Sequence, residues 1–268
     1  MMLHRFLSLL ALAAISSGCL QTRVDPASSR SESTPPYTLE RFRDESKIPD
    51  GIETLVFDNP YGEITVRQTS AGAVAWQGVE QRIGATPRIA RVEPFREGTR
   101  QGVRVRYPGV NPDHVANPRV GRVDLYAFVP PGYTVDLRSD FGTISARRIK
   151  DDVRARSRSG MIVIANRGSI DAESESGEIR AFPMQGLSDK PSRIHTGGNV
   201  LADIPVFDDV AVEVRSGGEF RSDFAMDQQS TGPEGVTRAH WRHGNGTHKL
   251  ILAGGRSVIL QMLKKPIP

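Results

Sequence analysis

VDLRSDFGTI (Val135–Ile144), VRARSRSGMI (Val153–Ile162) and IDAESESGEI (Ile170–Ile179) are copies of one ten-residue phrase. It reads apolar–x–apolar–x–Ser/Asn–x–Ser/aromatic–Gly–x–Ile. LVFDNPYGEI (Leu55–Ile64) is an earlier copy. Looser ones follow in SRIHTGGNV, ending at Val200, and VAVEVRSGGEF, starting at Val210. The later copies return every 17 to 20 residues. A repeat this short, with alternation of period two inside it, implies an all-β stack of parallel rungs, β-helix-like or solenoid-like.

Alternate residues of a strand point to one face, so each rung buries one column. After the glycine that column holds Ile144 and Ala146, Ile162 and Ile164, Ile179 and Ala181, Val200 and Ala202. Before it the inward residues shrink toward the turn, as in Val153, Ala155, Ser157 and Ser159, which implies a narrow interior. Gly62, Gly142, Gly160, Gly177, Gly198 and Gly218 then mark the corner between the two strands of a rung. A Cβ there would obstruct the bend, or φ is positive. The doubled Gly197-Gly198 and Gly217-Gly218 suggest a bulge.

The outward positions point to the same register. Arg154, Arg156 and Arg158 project from one rung, and Asp171, Glu173 and Glu175 from the next, with Asp136, Arg138 and Asp140 on the one before. Parallel stacking sets Arg154 between Asp136 and Asp171, and Arg158 between Asp140 and Glu175. Farther on, Glu173 would meet Arg193, and Arg193 would meet Glu213. Opposite charges side by side stabilise by roughly 0.2–1 kcal/mol each, and like charges oppose. Arg138 beside Arg156 is the one misfit.

Residues 51–131 carry longer alternating segments and are expected to form an antiparallel sheet that caps the stack at its N-terminal end. The stack itself is expected over 132–262. It closes with a hairpin around Gly254-Gly255, because an open stack end is an aggregation-prone edge.

At the other end of the chain, residues 1–19 read as a lipoprotein-type signal peptide. Arg5 is followed by an apolar run, Phe6 to Ile15, too short to span a bilayer. Ser16-Ser17-Gly18 then precedes Cys19, the single cysteine, which would carry the lipid. Ser16 departs from the leucine usual at that place in a lipobox. Leu20 rather than Asp follows Cys19, which by the enterobacterial sorting rule favours the outer membrane. Residues 20–50, rich in Ser, Pro, Arg and Glu, read as a flexible tether. The net charge of +4 comes from 35 basic and 31 acidic residues, interleaved and without a basic block. That pattern gives no nucleic-acid footprint.

Other residues could carry chemistry. His240, Trp241, His243 and His248 could hold a metal or a sugar, but their spacing matches no closed zinc pattern. Asp151/Asp152 and Asp208/Asp209 could be acid and base, yet turn chemistry explains them. Ser157, Ser159, Ser174 and Ser176 lie in copies of the phrase that contain no histidine to activate them. No catalytic residue, metal or cofactor is therefore expected.

FDNPYGEITVRQT, the lead-in VPPGYTV and the serial S-x-S-G-x-I rungs together resemble the bacterial candidate-adhesin β-strand-repeat proteins, a domain of unknown function. The resemblance spans roughly 51–262 and implies a parallel β-stack and an exported or envelope location. It offers no catalytic residues. The expected function is a non-enzymatic, lipid-anchored envelope protein, an adhesin or scaffold that binds an unidentified protein or polysaccharide. The alternatives are a carbohydrate-active β-helix enzyme and a periplasmic assembly or stress-signalling partner.

Overall fold

The computed structural model describes residues 37–84, 88–110, 121–183, 189–205 and 209–263. The expected signal peptide, Cys19 and the first part of the tether lie outside these residues. The described chain is all β. Its first strands are β1 (Tyr37–Lys47), β2 (Thr54–Asp58), β3 (Ile64–Gln68), β4 (Ala73–Ile83), β5 (Arg91–Glu97), β6 (Arg100–Arg106) and β7 (Arg122–Val129). The repeats supply β8 (Thr134–Ser139), β9 (Ile144–Ile149), β10 (Val153–Ser157), β11 (Ile162–Asn166), β12 (Ile170–Ser174), β13 (Ile179–Pro183), β14 (Ser192–Thr196), β15 (Asn199–Pro205), β16 (Val210–Ser216) and β17 (Glu219–Ser222). β18 (Gln228–Thr231), β19 (Thr237–His243), β20 (His248–Gly254) and β21 (Ser257–Leu263) complete the chain.

Each phrase folds as a strand, a glycine corner and a second strand. The first strand joins one sheet and the second joins the other. Successive phrases therefore stack in parallel and build two mixed sheets, of ten and eleven strands. In the ten-stranded sheet the residues after the glycines form one inward column, Ile64, Ile144, Ile162, Ile179, Val200 and Val258, in direct register and fully buried. The facing column of the eleven-stranded sheet runs Phe57, Leu137, Ala155, Ala172, Ile194, Leu252 and Val214. Its alanines fall mid-stack and its large side chains toward the ends, so the interior is narrowest in the middle. Burying each isoleucine contributes about 1.5–3 kcal/mol, which makes these columns the main source of stability.

Three expectations are corrected here. The tether ends earlier than residue 50, because Tyr37–Lys47 pairs antiparallel with β4 along its whole length. An edge strand carries charge toward solvent, so Arg41, Arg43, Glu45 and Lys47 give it the composition of a linker. The 51–131 segment is not a cap throughout. β2 and β3 already form a rung, with β6/β7 parallel on one side and β8/β9 on the other. The antiparallel pairs at this end are β1 with β4, β4 with β7 and β5 with β6. Finally, β20 and β21 do not pair with each other as a hairpin. They form a parallel rung inserted between β14/β15 and β16/β17. Antiparallel β19 and β18 extend the eleven-stranded sheet beyond β16.

Candidate interaction surface

The corner explains why the phrase contains Ser and Gly where it does. A Cβ on Gly142 would stand 1.8 Å from the carbonyl oxygen of Gly62, and one on Gly160 would stand 2.1 Å from that of Gly142. On Gly177 it would meet the Gly160 oxygen at 2.3 Å, and on Gly198 the Ser176 oxygen at 2.5 Å. Gly62 and Gly218 are similarly closed off by Val123 and Arg256. None of the six has positive φ, so close approach between rungs is what selects glycine. Beside them runs a column of inward hydroxyls, Ser139, Ser157, Ser174 and Thr196. The Gly142, Gly177 and Gly198 amides donate to Ser139, Ser174 and Thr196 at 2.9 Å each. Thr196 in turn donates to the Gly177 carbonyl at 2.6 Å. Asn59 takes this place in the earliest phrase, donating to the Val123 carbonyl at 2.7 Å. Ser139, Ser174 and Thr196 are thus occupied in holding corners, whereas the buried Ser157 hydroxyl has no hydrogen-bond partner among the described residues.

The outer face of the eleven-stranded sheet carries the charge ladder. Arg156 lies opposite Glu173 in register, with Nε 3.3 Å from Oε2 of Glu173 and Nη2 2.8 Å from Oδ2 of Asp171. Arg158 reaches Glu175 at 3.6 Å. Arg154 sits between Asp136 and Asp171 in register, but other residues hold both acids. Asp136 binds Arg100 at 2.7 Å and Arg138 at 3.0 Å, and Asp171 binds Arg156. Arg138, the misfit beside Arg156, is therefore satisfied within its own strand. Partial burial raises the carboxyls of Asp58 and Asp140 above their ordinary value, against the pull of Arg106 and Arg158 respectively. The ladder residues are mostly more than a third exposed, so each pair contributes about 0–1 kcal/mol. The ladder selects register more than it supplies stability.

Farther along the ladder the expected partners are corrected. Arg193 pairs in register with Asp171, and Glu173 with His195. Thr196 to Gly198 is one residue tighter than Ser174 to Gly177, which moves the preceding strand along. Beyond Arg193 comes Ile251 of the inserted β20, and Glu213 lies opposite that residue in turn.

The other candidate residues have structural partners. Asp151 accepts from Gln68 Nε2 at 2.8 Å, and Asp152 accepts from the Ser169 amide and from Lys190. Asp209 receives the Thr247 hydroxyl and the Gly246 amide, which hold its carboxyl low. Asp208 lies outside the described residues. Trp241 is buried against Phe224, ring centroids 4.2 Å apart, and stacks on His243. It is core rather than an open platform. Among the described residues, no group of His, Cys, Asp and Glu is arranged to hold a metal ion.

Two features went unnoticed in the sequence. Glu80 faces inward with a fully buried side chain, its carboxylate 3.7 Å from both Arg82 and Arg88. Burial pushes its carboxyl up and the two arginines oppose the rise. The alternation that runs inward through Val74 and Trp76 would have placed it. The second feature is the outer face of the ten-stranded sheet. Leu39, Tyr126 and Phe128 are exposed there, and Arg67 and Arg147 stand side by side on β3 and β9.

No family model matches this chain, and no curated protein matches it. Three solved structures resemble it in outline. A candidate cell-adhesion protein from Clostridium sporogenes covers 85% of this chain and is itself covered completely, at 10% identity and a TM-score of 0.47. A candidate adhesin from Bacteroides fragilis covers 84% of this chain over 97% of its own length, at 10% identity and a TM-score of 0.39. One from Parabacteroides distasonis covers 82% over 97% of its own length, at 7% identity and a TM-score of 0.24.

Proposed function

We propose that this chain is a non-enzymatic, lipid-anchored protein of the cell envelope, held at the outer membrane through Cys19. Its solenoid-like stack presents a broad β-surface to another macromolecule, as an adhesion or scaffold module. One observation carries the reading. The outer faces are continuous across ten and eleven strands, and strands spaced about 4.8 Å apart make each face roughly 45 Å long. Such a face suits an extended partner better than a small molecule. The corner glycines with Ser139 and Ser174 are spent on corners, which leaves the outward side chains for recognition.

The test is protease shaving of intact cells, probed with an antibody to residues 37–263, against a periplasmic control protein. Degradation of the chain with the control intact is the expected result. Protection of both would overturn the surface-exposed adhesion reading. Metabolic labelling with a palmitate analogue, lost in Cys19→Ser, would establish the anchor.

A further inference from the structure

Both outer faces carry arginine–carboxylate pairs, and one pair of arginines on the ten-stranded sheet departs from that pattern. In the eleven-stranded sheet Arg100, Arg138, Arg156 and Arg158 pair with carboxylates; in the ten-stranded sheet Arg180 pairs with Glu178 and Arg221 with Glu219. In the ten-stranded sheet Arg67 and Arg147 are direct neighbours on adjacent parallel strands, and both are exposed. Among the described residues no carboxylate forms an ion pair with either one. The acids nearest in the fold are engaged elsewhere. Asp124 takes Arg122 and the Glu63 amide, and Asp151 takes Gln68. Like charges set side by side on a sheet destabilise it. Arg138 and Arg156, also neighbours in register, each have a carboxylate; Arg67 and Arg147 abut without one among the described residues, which leaves a place for an external anion.

The surroundings narrow its chemistry. Phe128 lies beside Arg67 in register, and Tyr126 beside Thr65. Ser145 follows Thr65 on the next strand. Phe128 and Tyr126 are 49% and 41% exposed, two of the three large apolar side chains left open among the described residues. The patch is thus two open aromatic rings, two hydroxyls and two arginines on a flat surface. Aromatic faces take the apolar side of a flat ring, hydroxyls exchange hydrogen bonds with other hydroxyls, and a guanidinium matches a carboxylate with two parallel bonds.

We propose that this patch binds an acidic polysaccharide, a polymer of sugar rings bearing carboxylates. The rings lie on Tyr126 and Phe128, and Arg67 and Arg147 take the carboxylates. The assignment rests on the reading above that the chain presents its β-surface to a macromolecule, and it names the face and the partner.

The experiment uses the full chain in detergent micelles and four probes: polygalacturonate, neutral dextran, dextran sulfate and single-stranded oligo-dT. Polygalacturonate should bind at least about tenfold more tightly than dextran. The double substitution Arg67→Gln/Arg147→Gln should weaken it by about tenfold or more, as loss of two charge-assisted contacts requires. Phe128→Ala should weaken both polygalacturonate and dextran sulfate, since both present sugar rings. Arg156→Gln, on the opposite face, should change neither, and melting curves check that each variant is folded. Equal binding of polygalacturonate and dextran, an unaffected double variant, or tighter binding of oligo-dT would each overturn the assignment. Exposure of the chain on intact cells together with any of these results would discard the glycan and keep the surface reading. Protection on intact cells together with selective polygalacturonate binding would keep the patch and discard the surface location.

Discussion

The outer face of the eleven-stranded sheet and that of the ten-stranded sheet are built from the same rungs, yet they answer different requirements. The first interleaves Arg156 and Arg158 with Asp171, Glu173 and Glu175. A slip by one rung would bring like charges together, so this face is informative about register. The second abuts Arg67 with Arg147 and leaves Tyr126 and Phe128 open. It says little about register and is organised for something outside the chain. The inward columns hold both faces alike, which frees the outward residues to diverge.

The largest expected effect abolishes the comparison by removing both faces at once. Gly160→Ala would place a Cβ 2.1 Å from the Gly142 carbonyl oxygen, and the atoms it meets, on Gly142 and Phe141, are all backbone and have little room to yield. A loss of about 3 kcal/mol or more is expected, read as a collapse of the thermal melt. Ser174→Ala is the next largest. It strips the acceptor from the buried Gly177 amide and should lower stability by about 2 kcal/mol in urea titration.

The comparison itself is tested by making one chemical change on each face. Arg156→Glu sets like charge against Asp171 and Glu173 and should destabilise by about 1 kcal/mol. Arg67→Glu puts an acid beside Arg147 and should stabilise by about 0.5 kcal/mol. Equal signs in the two denaturation curves would erase the distinction between the faces.

The smallest effect concerns the interior that both faces share. The Glu80 carboxyl is raised above its ordinary value of 4.5 by burial, against the pull of Arg82 and Arg88. The folded state therefore holds its proton more tightly than the unfolded state. The stability it contributes is fully present below about pH 4.5 and is lost as pH rises through the raised value. Glu80→Gln should accordingly melt close to the parent at about pH 4 and above it at about pH 7. A gap that shrinks as pH rises would refute this sign.

The repeat was legible because each rung states its own geometry. Ser174, Gly177 and Ile179 specify an amide acceptor, a corner and a core position within six residues, and the adjacent rungs say the same. What remained hidden depends on pairing between distant segments. Leu250, Leu252 and Gly254-Gly255 read equally well as a hairpin or as a rung corner, since the two differ only in their neighbours. β1 was masked by the charges of an edge strand. The register error at Arg193 came from a doubled glycine, where local sequence leaves open which residue faces the column. The arginine pair on the ten-stranded sheet was out of reach for the same reason. Arg67 and Arg147 are eighty residues apart, on strands whose adjacency follows only once β3 is recognised as part of the stack.

The insertion of β20/β21 between β14/β15 and β16/β17 bears on how the stack is assembled. A chain that emerges in order delivers β16 and β17 before the strands that must lie between them and the rest. These two strands cannot take their final partners on arrival, and the growing end of the stack waits at β14 and β15. Completion is therefore retroactive. The later segment supplies the pairing between strands made earlier, so a chain interrupted after β19 would leave an unpaired edge on each sheet. Built this way, the protein registers its own completeness.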